Sequence, residues 1–183
     1  MKISRMVIFI VITTFIAGVV GAIGSMSPGK TNEPRISVTA RIVDYGIYKI
    51  IDPGAYYAHP ESTAGYASQG VKLTLINRTT RVPLQKGIVF GLEYEAEGFG
   101  FDGPVLIIYR VKHPSITRPD GTVTTGFDEE FPSIVSEGKL KTGDFYCLSE
   151  DWELVPGEWS IAVIYEGRVL VEKTFQVSDS EGR

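Results

Sequence analysis

The sequence predicts an all-β fold of the sandwich type, and three observations predict it. Beyond residue 35, apolar residues recur with a period of two, not 3.6. Turn formers cut that pattern into short runs, at Asp52-Pro53-Gly54, Pro119-Asp120-Gly121 and Pro156-Gly157. No stretch of the same region keeps an apolar stripe at helical spacing for three turns. About seven strands with such spacings suggest an antiparallel sandwich of immunoglobulin-like type. The chain has one cysteine, so it is not the antibody variety with its Cys…Trp…Cys spacing.

The chain opens with Lys2 and Arg5, followed by an uncharged run to Gly29 that is almost wholly apolar from Met6 to Gly24. A basic start, an apolar stretch and a small-residue exit make a secretory signal. Ala22-Ile23-Gly24 before Ser25 suits cleavage, with Val20-Gly21-Ala22 as the alternative. The apolar run is also close to the roughly 20 residues of a spanning helix, so an uncleaved anchor is the competing expectation. In both cases the basic residues stay inside and the rest is exported. Residues 1–24 are therefore expected to be a signal or anchor helix and 25–34 a flexible lead-in. Residues 35–178 are expected to form one β-sandwich domain and 179–183 a tail.

The strands follow in order. Ile36, Val38, Ala40 and Ile42 alternate with Ser37, Thr39 and Arg41, and Val71, Leu73 and Leu75 alternate with Lys72 and Thr74. In 88–97, Ile88, Phe90, Leu92, Tyr94 and Ala96 point one way and Glu93, Glu95 and Glu97 the other. That strand has one buried face and one acidic, wet face. Val105 to Val111 is apolar on both faces in its first half and is expected to be central. Phe145 to Leu148 is a shorter strand. Trp159, Ile161, Val163 and Tyr165 lead to Glu166-Gly167, a two-residue hairpin loop, after which Val169 to Val177 returns. Leu170 and Phe175 both suit the core but have opposite phase, so a β-bulge is expected near Glu172 to Thr174.

Two segments escape the pattern. Tyr45 to Gly70 carries five of the nine tyrosines, and Pro114 to Gly143 carries Asp128-Glu129-Glu130 between Phe127 and Phe131. Both are expected to be long loops, which are commonly functional or disordered.

Several functional classes are excluded by composition. The net charge of −4 leaves no basic footprint, so nucleic acid is not an expected partner. One cysteine excludes an internal disulfide framework and a cysteine zinc cage, and two histidines exclude a multi-histidine metal centre. No cofactor or metal is expected.

A set of short motifs, taken together, resembles a known family. They are Asp44-Tyr45-Gly46-Ile47-Tyr48, Asn77-Arg78-Thr79-Thr80 ahead of a proline, Phe90-Gly91-Leu92-Glu93-Tyr94 and His113-Pro114 after a strand. The most specific is Trp152-Glu153-Leu154-Val155-Pro156-Gly157-Glu158-Trp159, continuing through Gly167 to Phe175-Gln176-Val177. In their order and spacing, from about Ile36 to Val177, the chain resembles the bacterial exported family known as domain of unknown function 3859. The resemblance implies an exported β-sandwich and carries over neither an activity nor catalytic residues. The 114–143 segment fits it least well.

Candidate chemistry is sparse. Gly98-Phe99-Gly100-Phe101-Asp102-Gly103 spells G-x-G-x-x-G, but Pro104 and a strand follow where a dinucleotide fold needs a helix. A glycine-rich hairpin loop is the expectation there. Cys147 lies near Asp144, Glu150 and Asp151, which raise a thiol pKa, so a buried structural thiol is expected, with an intermolecular disulfide as the alternative. His59 and His113 each precede a proline and lie outside any catalytic motif, although Ser115 is close to His113 in sequence. Asp128, Glu129 and Glu130 suggest calcium ligands or a glycosidase pair, yet neighbours on an extended chain point apart, and a solvated acidic loop is expected. Asn77-Arg78-Thr79 spells a glycosylation acceptor and ends a strand. The tyrosine-rich segment is the stronger lead, because tyrosine gives large contact area at low entropic cost. Tyr56 and Tyr57 are the candidate ligand-binding residues, against the alternative that Tyr45, Tyr48 and Tyr66 merely cap the core.

These readings converge on an exported, non-enzymatic β-sandwich, periplasmic or extracellular, that binds or scaffolds in the cell envelope. The expected partner is an envelope protein, and the membrane is touched only through residues 6–24 if they stay uncleaved. The alternatives are an envelope-glycan hydrolase using carboxylates of 114–143, and an anchored accessory subunit of a membrane complex.

Overall fold

The computed structural model of the chain describes residues 37–179. The expected signal or anchor, the lead-in and all but the first residue of the tail lie outside the described residues. Eleven strands occur among those described: β1 Thr39–Asp52, β2 Ala55–Ala58, β3 Tyr66–Gln69, β4 Lys72–Asn77, β5 Arg81–Pro83, β6 Val89–Glu97, β7 Gly103–Thr117, β8 Val123–Val135, β9 Lys139–Cys147, β10 Gly157–Tyr165 and β11 Arg168–Ser178. A single 3₁₀ turn, Asp151–Glu153, precedes β10.

Nine strands form two facing sheets, in the orders β4-β1-β6-β9 and β5-β11-β10-β7-β8, and β2 and β3 pair apart as a hairpin. Strand pairings are antiparallel except β5 with β11, which is parallel. The strand count exceeds the expected seven because both supposed loops are largely strand. Tyr45 and Tyr48 belong to β1, and Ala55–Ala58 pairs with Tyr66–Gln69. In the second segment β7 runs on to Thr117, β8 fills Val123–Val135 and β9 starts at Lys139.

The core lies between the sheets. From β6, Phe90, Leu92, Tyr94 and Ala96 point inward and are buried. The other sheet answers with Ile107, Val111, Trp159, Ile161, Val163, Phe175 and Val177, all buried. The ring of Phe90 meets Trp159 at 5.9 Å and Phe175 at 5.2 Å, both edge-on as aromatic quadrupoles prefer. Glu95 points outward beside Arg41 and Lys141. On that same outer face Gly91 is covered by the ring of Phe145, which also meets Tyr48 at 4.6 Å. β7 pairs on both sides, as a central strand does, yet Leu106 on its outer face is 51% exposed.

Two expectations need correction. Glu166 (φ 48°) and Gly167 (φ 74°) form the expected tight turn, with both residues left-handed as a primed hairpin requires. The bulge, however, sits at Leu170, because Val171 faces Val163 and Val169 faces Ile164. The ladder through Glu172 to Thr174 is unbroken. Lys173 can therefore keep the inward phase of Val171 and Phe175, and its ammonium lies 3.7 Å from the centre of the Tyr45 ring. The glycine-rich segment 98–103 is no hairpin loop either. It carries the chain from β6 in one sheet to β7 in the other, with Phe99 buried in the core.

A candidate binding cavity beneath the tyrosine hairpin

β9 ends one sheet and β8 ends the other. These two edge strands and the β2–β3 hairpin border a cavity of about 820 Å³, whose lining also takes in Ile50, Leu73 and Phe145 from the outer face of the first sheet. Strand alternation decides what points into it. β8 sends Phe127, Glu129 and Phe131 to the cavity side, while Asp128 faces out into a two-pronged pairing with Arg110, at 2.7 and 2.6 Å. The acidic triplet is thus neither a loop nor a cluster: Glu129 is 7% exposed and its two neighbours are on the surface. On β9, Asp144 lies opposite Leu92 of the inner face, in phase with Tyr146 opposite Phe90, and both line the cavity. β7 adds Ile107 and Tyr109.

The hairpin closes over this space. The Tyr57 hydroxyl donates to Glu129 Oε1 at 2.7 Å. His59 Nδ1 accepts from the Ser62 N–H at 3.0 Å, so its proton sits on Nε2, 3.3 Å from the same Oε1. The hairpin's tip is tied down from the far side. Thr63 is fully buried and its hydroxyl lies 2.8 Å from His113 Nε2. His113 Nδ1 donates to the Pro114 carbonyl at 2.7 Å, which leaves Nε2 to accept from Thr63. Arg118 donates to the carbonyls of Thr63 (3.0 Å) and Ser62 (2.7 Å). The Tyr66 hydroxyl donates to Glu150 at 3.1 Å. Nε2 of His113 thus serves the hairpin through Thr63, not Ser115, and burial holds the ring below the ordinary histidine range.

The two candidate tyrosines divide. Tyr57 reaches into the cavity, whereas Tyr56 stands at its rim, 66% exposed, with its ring 6.0 Å from that of Tyr66. Of the other tyrosines, Tyr45 packs partly buried against the core, Tyr48 is buried on the outer face against Phe145, and Tyr66 belongs to the hairpin.

The electrostatics are one-sided. Among the described lining residues are Glu129, Glu130 and Asp144, and neither lysine nor arginine. Burial, reinforced by the charge of Glu129, pushes the Asp144 carboxyl up to about 7. Part of Asp144 touches solvent, but its Oδ2 is sealed from it and has no hydrogen-bond partner. Burial, and then the hydrogen bond to Glu129, pushes the Tyr57 hydroxyl up to about 12. The Tyr109 hydroxyl donates to the Phe145 carbonyl at 3.1 Å, and burial raises it well above its usual value. Cys147 is pushed up to about 11, by burial first and then by Glu153. It is a poor nucleophile, and Glu153, not the three nearer acids expected from sequence, is the charge that acts on it.

Glu153 itself, within the tryptophan-rich motif, is fully buried. Its Oε2 accepts from the Ser149 N–H (2.9 Å), the Ser149 hydroxyl (2.8 Å) and the Glu150 N–H (2.7 Å), and its Oε1 from the Tyr146 hydroxyl. This carboxylate clasps the end of β9 to the 3₁₀ turn. Asp144, Tyr109 and Phe127 were not singled out as site residues by sequence reasoning. The available signal was the Phe127-x-Glu129-x-Phe131 spacing, which places a carboxylate in an inward strand phase.

A profile of the family described as domain of unknown function (DUF3859) matches residues 37–177. The crystal structure of an immunoglobulin-like protein from Pseudomonas aeruginosa is similar over 80% of this chain and 100% of its own, with 24% identity and a TM-score of 0.57. That likeness shows the fold. The alkylpurine DNA glycosylase AlkC of Pseudomonas fluorescens, bound to DNA with an abasic-site analogue, gives 12% identity and a TM-score of 0.37, over 54% of this chain and 27% of its own. A β-glucosidase from Erythrobacter marinus gives 9% identity and a TM-score of 0.38, over 77% of this chain and 16% of its own. Neither of the last two carries an inference. No curated protein matches the chain.

Proposed function

We propose a binding role for this chain, which belongs to the DUF3859 family. The observation that carries the reading is the cavity. At about 820 Å³ it falls within the roughly 300–1,000 Å³ of small-molecule sites, with aromatic walls and a few convergent polar groups. A sandwich needs no such space, and the hairpin that encloses it is fastened by side chains at several points. Rigid walls and a fixed roof favour a site formed before its ligand arrives. We place the protein in the cell envelope, because Lys2, Arg5 and the apolar Met6 to Gly24 have the make-up of an export signal. Tyr56, exposed at the rim, offers a contact for an envelope protein partner.

The test is native mass spectrometry of the chain isolated from its own host, with cell fractions assayed alongside. The expected result is an envelope-associated protein carrying a small molecule that unfolding releases and Tyr57→Ala loses. A protein retained in the cytoplasm refutes the location. A protein that is empty, and takes up nothing from an extract of the same cells, refutes the binding role.

One observation favours a second reading, hydrolysis of an envelope glycan. Glu129 and Asp144 share the cavity, and a carboxyl held near 7 is what a general acid needs. Against it, Glu129 Oε1 already faces donors from Tyr57 and His59. Turnover of peptidoglycan fragments, abolished by Asp144→Asn, would decide for the enzyme.

A further inference from the structure

We propose that the cavity selects a small organic cation, its ammonium group seated between the carboxylates of Glu129 and Asp144 and against the rings of Tyr57, Tyr109 and Phe127. The inference rests on the binding role above and names the class of ligand. Four observations carry it. The described lining holds two inward carboxylates, Glu129 and Asp144, and no basic side chain other than His59. Two arginines of this part of the fold are engaged elsewhere, Arg110 by Asp128 on the outer face and Arg118 by backbone carbonyls of the hairpin tip. Asp144 Oδ2 is buried with no donor, an arrangement that a ligand N–H or a proton must complete.

The fourth observation is the wall itself. The rings of Tyr109 and Phe127 lie 5.8 Å apart, Phe127 lies 6.4 Å from His59, and His59 lies 6.2 Å from Tyr57. Such a connected aromatic surface attracts a cation through its ring faces, most strongly where water is excluded. Anions are repelled by the same carboxylates. A bare metal ion is a poor fit, since hard cations take six or more oxygen ligands, and the described residues hold no group of three or more His, Cys, Asp or Glu placed to share one.

The site carries its own pH signature. Asp144 is faced by Glu129 from β8, Tyr109 from β7 and Tyr94 from β6, and Glu129 in turn by Tyr57 and His59 from the hairpin. With the Asp144 carboxyl held near 7, an arriving ammonium displaces its proton to solvent. Affinity should therefore rise with pH through neutrality, by about tenfold between pH 6 and pH 8 for a group titrating there.

The experiment is calorimetric titration of the full-length chain in phosphate at pH 6, 7 and 8. The probes are ethanolamine and putrescine as cations, N-acetylglucosamine as a neutral and benzoate as an anion. The expected result is binding of a cation alone, about tenfold tighter at pH 8 than at pH 6. Glu129→Gln should weaken it at least tenfold, Asp144→Asn should remove the pH dependence, and Asp128→Asn on the outer face should change it less than twofold. The wild-type pH series needs no variant and stands if a substitution impairs folding. Binding of the neutral or the anion in place of the cations overturns the ligand class and leaves the binding role intact. Binding of none overturns the cation proposal, and the mass-spectrometric experiment then judges the binding role separately. Cation affinity unchanged in both carboxylate variants places the ligand elsewhere and also overturns it.

Discussion

Replacing Glu153 by leucine tests whether one buried carboxylate holds the roof's foundation. The carboxylate receives three donors on Oε2, from the Ser149 N–H, the Ser149 hydroxyl and the Glu150 N–H, and a fourth on Oε1 from the Tyr146 hydroxyl. Leucine fills similar volume and accepts nothing. Tyr146 is buried, so its hydroxyl loses its carboxylate partner out of reach of water, whereas Ser149 and Glu150 are half-buried and recover some water. A buried donor left without a partner costs about 1–3 kcal/mol. Counting Tyr146 in full and the Ser149 and Glu150 N–H groups at the low end, with the rotatable Ser149 hydroxyl turning to water, gives a loss of about 3–5 kcal/mol. Glutamine keeps an oxygen toward the three donors, and the Tyr146 hydroxyl can turn to accept from the new amide. Only charge assistance is then lost, about 1–2 kcal/mol. Urea unfolding followed by the fluorescence of buried Trp159 reads both, with the denaturant slope unchanged. By the scaling for chains of this size, leucine should lower Tm by about 6–20 °C. The leucine variant should also weaken the Tyr66 contact to Glu150, which the clasp positions. A leucine variant within about 1 kcal/mol of wild type, or a glutamine variant as costly as leucine, refutes the reasoning.

Other consequences follow from the same geometry. The native Asp144 carboxyl titrates near 7, above its unfolded value, so the native state binds more protons between about pH 4 and pH 7. The Asp144 contribution to stability should fall as pH rises through that window and level off above it. Asp144→Asn should remove this downward component and leave the opposite one from buried His113, and a pH dependence of the urea midpoints at pH 5 to 8 that is unaltered by the substitution contradicts it. Cys147, pushed up to about 11, should react with a disulfide reagent at pH 8 roughly a hundredfold more slowly in the native than in the unfolded chain. Equal rates would show an activated thiol. Gly91→Ala would place a Cβ 2.2 Å from the Asp144 carbonyl and 2.7 Å from Phe145, so β9 must move outward. The expected loss is about 1–3 kcal/mol, read from the same unfolding curves.

β6 is visible in the sequence because its inward residues, Phe90, Leu92, Tyr94 and Ala96, are all apolar while Glu93, Glu95 and Glu97 are not. β8 is hidden by the opposite circumstance. Its inward Glu129 carries the same charge as outward Asp128 and Glu130, so polarity does not alternate where the side chains do. The bulge shows a similar limit. Phase arithmetic on Leu170 and Phe175 detects that an extra residue exists, but its position depends on whether Lys173 can lie inward, and only the Tyr45 ring from another sheet makes that possible. Tyr57 is accessible to chemical reasoning as a contact residue. Its partner Glu129 lies 72 positions away, and no local pattern encodes that meeting.

The placement of the two carboxylates argues for a site over mere tolerance. Glu129 and Asp144 occupy inward phases whose neighbours on the same strands are Phe127, Phe131 and Tyr146, so apolar residues fit this register. Two like charges facing one cavity oppose each other, and a buried ionic group is commonly less stable than a well-packed apolar replacement. The chain answers the conflict only partly. Glu129 receives the Tyr57 hydroxyl and faces the proton on His59 Nε2, whereas Asp144 keeps an Oδ2 with no donor at all. A fold built for stability alone would fill this edge of the sandwich, as Phe90, Trp159 and Phe175 fill its centre. Local violations of packing rules concentrate at functional sites. Here the violation coincides with a large cavity and with a hairpin fastened over it.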